Sequence, residues 1–181
     1  MRRLLSLAAL SILALSAPAS AQRSGGYSAS PSPEIGMDAG ITFSLGTPSR
    51  TTIEIPLQQI RMGFFVSPVL SIEPTLGLVS LSGNGPSTTF YNFGVGALYH
   101  FSPSRTANQF YVRPFVNLVG DSGGGTSSST ALFGVGGGLK IPLRDRIASR
   151  FEANFAHIGD LNGVLAHNEI GLLAGLSFYT R

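Results

Sequence analysis

The side chains able to do chemistry are few and spread out: Asp38, Arg61, Glu73, Arg113, Lys140, Arg150, Glu152 and Glu169 recur singly or in pairs along the chain. Brought together by a fold, such residues make charge-assisted ion pairs. The other chemistries find little support. There is no cysteine, which removes thiol catalysis and cysteine-based metal sites. His100 has no second histidine or carboxylate near it on its own segment, so it reads as a hydrogen-bonded interior residue and not as a metal ligand. His157 is followed by Ile158 and Gly159, which leaves nothing there to attack an ester carbonyl. In "GVGGGLK" the glycines recur along an extended segment and do not open a helix, so a phosphate cradle is not expected.

The elements that must position these residues are strands. "EIGMDAGITFSL", residues 34–45, alternates apolar side chains at odd positions with Glu, Gly, Asp, Thr or Ser at even ones, the period of a strand with one greasy face. The pattern recurs eight times: Glu34 to Leu45, about Thr52 to Val66, Leu70 to Leu81, Tyr91 to Phe101, Phe110 to Leu118, Phe133 to Ile141, Ala148 to Ile158, and about Asn168 to Thr180. In the second strand Ile53, Ile55 and Leu57 fall on odd positions, whereas Ile60, Met62, Phe64 and Val66 fall on even ones. The phase therefore slips at "PLQQ", which predicts a bulge. "DSGGGTSSST" reads as the longest polar loop. The expected fold is all-β: an eight-stranded antiparallel up-and-down transmembrane β-barrel spanning 34–181.

Which face looks inward follows from charge and compartment. The start "MRRLLSLAALSILALSAPASAQ" carries two arginines, an apolar run from Leu4 to Leu15, and Ala19 and Ala21 on either side of Ser20. It reads as a secretory signal peptide over 1–21, cut after Ala21, followed by a flexible tail over 22–33. Charged residues make up 12% of the chain, against about 25% in a typical soluble domain. The strands' polar faces are mostly Gly, Ser, Asn and Thr, a poor water-facing coat but a workable narrow interior. The apolar faces, Ile35, Met37, Ala39, Ile41, Phe43 and Leu45 among them, should then meet lipid. Aromatic residues such as Phe43, Phe64, Tyr99, Phe101 and Phe110 gather toward strand ends, as in an interfacial girdle. One set of connections is longer than the other on the whole, which places both termini in the periplasm. The basic residues do not cluster, so no nucleic-acid surface is expected. The competing class is a soluble periplasmic barrel with its greasy face inward, carrying a lipid or another apolar ligand.

The leader, the eight amphipathic strands, the Gly-rich "YNFGVGALYHF" and "LFGVGGGLKI", and the final "EIGLLAGLSFYT" resemble the small outer-membrane β-barrel proteins, the group of the OmpA transmembrane domain and OmpX. The resemblance implies residence in the bacterial outer membrane, contact with outer-membrane lipids and a lipopolysaccharide-like leaflet, and recognition of the last strand by the barrel-assembly machinery. It implies no cofactor. "FAHIGDLNG" also resembles the His-x-Ser region of outer-membrane lipid A deacylases, but Gly159 stands at the serine position and Glu169 falls on the inward register. The chain therefore reads as a non-enzyme with a structural or surface-interaction role.

On the inward register, Asp38, Arg61, Glu73, Arg113, Arg150 and Glu152 lie about three to seven residues from the periplasmic ends of their strands, one slab at ~3.3 Å per residue. Lys140 and Glu169 share the inward face. "SIEPTLGL" and "YVRPFVNL" match in form, an inward charge followed by an outward proline. Asp38 is expected to pair with Arg61, and the set to plug the lumen with ion pairs; the lesser reading is a gate or narrow pore.

Overall fold

The computed structural model describes residues 32–46, 49–54, 59–83, 87–104, 106–161 and 163–180. The expected leader and nearly all of the expected tail lie outside the described residues. The elements are β1 (Glu34–Ser44), β2 (Arg50–Glu54), β3 (Gln59–Phe65), β4 (Leu70–Leu81), β5 (Thr88–His100), β6 (Gln109–Gly123), β7 (Thr126–Arg144), β8 (Ile147–Ile158) and β9 (His167–Tyr179). β1 pairs antiparallel with both β2 and β3, consecutive strands from β3 to β9 pair antiparallel, and β1 pairs with β9 from Glu34↔Tyr179 to Ser44↔Glu169, which closes the sheet. Since β2 and β3 both lie against β1 and share one stave, the result is an eight-stranded barrel. The β1–β9 seam pairs the first strand with the last, as a sheet surrounded by hydrocarbon requires, while among the described residues β2 has a ladder partner only in β1.

The alternation orients as expected from charge. On β1, Glu34, Gly36, Asp38 and Gly40 are buried, while Ile35 and Met37 are exposed, Met37 by 53%. The same outward set continues through Leu76, Val95, Val116, Val135, Phe155 and Leu172. Tyr99 and Phe101 touch edge to face at 5.5 Å on the outer surface beside the exposed Phe110. The inside-out distribution, with charge in the centre and apolar side chains on the rim, is that of a protein whose solvent is lipid.

Two expectations about connectivity are corrected. The second stave is not one strand with a single extra residue. Gly40 pairs with Glu54 but Gly36 pairs with Arg61, so a four-residue step on β1 faces a seven-residue step on its neighbour. An odd number of extra residues reverses which parity faces out, and accordingly Ile53 is exposed before the slip and Ile60, Met62 and Phe64 after it. The slip itself falls on residues 55–58, outside the described residues. "DSGGGTSSST" is likewise no loop: β6 and β7 stay in register up to Gly123↔Thr126, and only Gly124 and Gly125 form the turn. Their φ values of 58° and 82° are those a tight hairpin turn demands and glycine supplies without strain. Because β8 meets β7 only from Leu132 onward, this hairpin rises beyond its β8 neighbour.

Candidate functional site

The inward register of six staves delivers charge to one level of the lumen. β1 brings Glu34 and Asp38, β3 brings Arg61, β4 Glu73, β6 Arg113, β7 Lys140, and β8 Arg150 and Glu152; β9 adds the neutral Ser177. All are buried, with Lys140 and Arg150 only 1% exposed. The level lies near the end of the barrel where the described chain enters and leaves, since Glu34 opens β1 and Ser177 stands two residues before the end of β9.

Arg61 is the hub on one side. Its Nε donates to Asp38 Oδ2 at 2.9 Å and its Nη2 to Asp38 Oδ1 at 3.0 Å, a two-pronged pair, while Nη1 reaches Glu34 Oε1 at 2.9 Å and Glu73 Oε2 at 3.3 Å. Arg61 stands opposite Gly36 in register, and a Cβ at Gly36 would overlap the guanidinium, so the close approach requires glycine there. Arg150 is the hub on the other side. Its Nη1 donates to Glu73 Oε2 at 2.7 Å, its Nη2 to Glu152, and its Nε to the Tyr111 hydroxyl at 2.7 Å. That hydroxyl in turn donates to Glu152 Oε2 at 2.8 Å. Arg113 completes the group by donating to Glu152 through Nε and Nη2, and its aliphatic stem leads to a guanidinium 4.4 Å from the Phe115 ring.

Lys140 and Arg150 face each other directly in the β7–β8 register, an arrangement of like charges that is unfavourable alone. Each finds a carboxylate across the lumen: Lys140 Nζ meets Glu34 Oε2 at 2.6 Å, and Arg150 meets Glu73. The Lys140 ammonium also lies 5.7 Å from the Tyr111 ring and 5.9 Å from the Phe65 ring, within cation–π range. Four carboxylates (Glu34, Asp38, Glu73 and Glu152) thus interlock with four cations (Arg61, Arg113, Lys140 and Arg150), and the formal charge of the level is zero. Neutrality, with every charge hydrogen-bonded to an opposite one, is the condition under which buried ions are tolerable.

Seven of the eight residues named from the sequence therefore meet in one network, with Asp38 on Arg61. Glu169 stands apart. It is inward on β9 but eight residues from Ser177, about 26 Å along the strand at the usual rise. There it is 21% exposed and pairs with His167 at 3.3 Å. Glu34 and Tyr111 belong to the network but were not singled out from the sequence. Both lie on the inward parity of their strands, which was the signal available for them.

His100 corrects another expectation. Its ring is fully buried, stacked on Phe65 at 5.4 Å and tilted against Tyr111 at 6.0 Å, but neither ring nitrogen has a hydrogen-bond partner among the described residues. It is held by its faces. His157 points outward, where Nδ1 lies 2.9 Å from Asn168 Oδ1 and the ring packs on Phe133 at 5.2 Å. Among the described residues no group of three or more His, Cys, Asp or Glu is placed to hold a metal ion.

A family model described as the outer membrane protein beta-barrel domain matches residues 5–178. Among solved structures, Neisserial surface protein A is similar at 18% identity and a TM-score of 0.65, over 82% of this chain and 97% of that one. The N-terminal β-barrel domain of Pseudomonas aeruginosa OprF aligns at 14% identity and a TM-score of 0.49, over 80% of this chain and 97% of that one. At these identities the likeness concerns the fold. No curated protein sequence matches the chain.

Proposed function

The chain belongs to the outer membrane protein beta-barrel domain family, and on that premise we propose that it is a non-enzymatic barrel with a structural or surface-interaction role, its lumen closed by the ion-pair network. The observation that carries this reading is the neutral set of four carboxylates and four cations, buried and interlocked across the lumen. In an eight-stranded barrel the interior is just wide enough for side chains to fill. Here the side chains that fill it are tied to one another by charge.

In this reading the leader over 1–21 is removed after Ala21, and the barrel-assembly machinery receives the last strand. Outer-membrane lipids and a lipopolysaccharide-like leaflet surround the wall, and the polar β6–β7 hairpin is presented outside. The absence of a hydroxyl or thiol nucleophile at Gly159, two residues after the outward His157, argues against ester hydrolysis at that position. The carrier alternative would need an apolar interior. The apolar groove of about 710 Å³ lined by Ile41, Phe110, Leu139, Phe151, Leu172 and Ala174 lies instead on the outer wall.

Planar-bilayer recording separates the plug from the narrow pore. The refolded protein should show no steady conductance, because entering ions would have to break several charge-assisted bonds at once. A steady conductance that Arg113→Ala altered would replace the plug with a gated pore.

A further inference from the structure

The charges of the network are divided unequally along the chain. On β1–β4 they comprise Glu34, Asp38 and Glu73 against Arg61, three negative and one positive, for a net −2; on β5–β9 they comprise Arg113, Lys140 and Arg150 against Glu152, for a net +2. Neither half is neutral alone. Within the halves, Arg61 pairs with Asp38 and Glu34, and Glu152 with Arg113 and Arg150. Between the halves run Lys140 to Glu34 at 2.6 Å, Arg150 to Glu73 at 2.7 Å, and Arg61 Nη1 and Nη2 to Ser177 Oγ at 3.3 Å.

From this division we propose that the network is a closure latch for the β1–β9 seam: docking of the first stave on the last joins a −2 surface to a +2 surface and cancels both. The proposal rests on the reading of the chain as a plugged, lipid-spanning barrel. Lys140 on β7 reaches Glu34 on β1 over the intervening β8 and β9, a contact that exists only when β1 lies against β9. Until then Lys140 and Arg150 face one another across the β7–β8 ladder with one carboxylate, Glu152, in their own half. Their repulsion and the cost of taking uncompensated charge out of water are both relieved by the same event. The seam is thereby selected over an open sheet or a mispaired register, because a slip of one residue would turn Glu34 and Asp38 toward lipid.

The native sequence has no cysteine, so a pair can report the seam. Met37 and Leu176 are register partners across β1–β9, and Phe93 and Leu118 are partners across β5–β6, away from it. Paired Cα atoms in an antiparallel ladder lie about 4.5–5.5 Å apart, within disulfide reach. The full chain carrying Met37→Cys and Leu176→Cys, or Phe93→Cys and Leu118→Cys, is refolded into phosphatidylcholine vesicles and oxidised. Lys140→Glu and Glu34→Lys should each slow seam cross-linking by at least about tenfold and leave the β5–β6 pair within about twofold. Glu34→Lys with Lys140→Glu restores the pair in reverse but makes both halves neutral, so it removes the attraction between them and should leave the seam slow. The latch is overturned if the single changes leave the seam rate untouched, if both cysteine pairs fall together, or if the double change, with both halves neutral, recovers the parent rate. Failure of either cysteine pair to form with the charges intact would contradict the barrel reading itself.

Discussion

Replacing Arg150 with Met will lower the unfolding free energy in lipid vesicles by about 3–5 kcal/mol, the usual cost of stripping one partner from a buried ionic group. Arg150 is 1% exposed and supplies hydrogen bonds to Glu73, Glu152 and Tyr111. Without it the level carries a net −1, and the Tyr111 hydroxyl loses the guanidinium that donates to it. Adding Glu73→Gln returns the formal charge to zero, and the double variant should regain at least part of the loss. Glu169→Gln supplies the contrast. That carboxylate is partly exposed and paired with one histidine, so its removal should change stability by less than about 1 kcal/mol. Urea titration followed by the heat-modifiable electrophoretic shift reads all three variants. An Arg150→Met protein as stable as the parent would mean that the network contributes nothing to the folded state.

Ala174→Arg tests the opposite face. Ala174 is the middle of the five apolar outward residues of β9, flanked in register by Ala39 and Phe151. A guanidinium at the bilayer midplane costs about 2–4 kcal/mol on the lipid face of a barrel. On the water-exposed wall of a soluble barrel the same substitution would be close to neutral. The folded fraction in vesicles should therefore fall steeply with Ala174→Arg and little with a charge placed on the β6–β7 hairpin, for example Ser127→Arg, which lies beyond the end of the β7–β8 pairing.

How far these features were legible in the chain depends on what a period of two can carry. Alternation fixes which side of a strand is greasy, and the sparse charge of the other side then sets Ile35, Met37, Phe64, Val95 and Leu172 on the wall. It also exposes a phase slip near "PLQQ", but parity distinguishes only odd from even, and an insertion of three residues looks the same as a single bulge. The β6–β7 hairpin escaped because alternation is imposed by lipid on one side. Beyond the apolar band both faces are wet, Ser and Thr serve equally on either, and a strand reads as a loop. Parity gives the face of Glu169 but not its height, so nothing in the strand pattern separates it from the inward charges about 26 Å away along the barrel. Glu34 and Lys140 are 106 residues apart, and only closure of the barrel brings them together.

The central claim is that the apolar residues of the wall face hydrocarbon while the charged ones close the lumen. The native sequence contains no tryptophan, so Leu172→Trp on β9 or Val116→Trp on β6 introduces a single indole at an outward position. In vesicles of phosphatidylcholine brominated along the acyl chain, each indole should emit at short wavelength and be quenched strongly, with little quenching by aqueous iodide. Long-wavelength emission from both positions, quenched by iodide and indifferent to the brominated lipid, would place the greasy face away from the membrane and contradict the account.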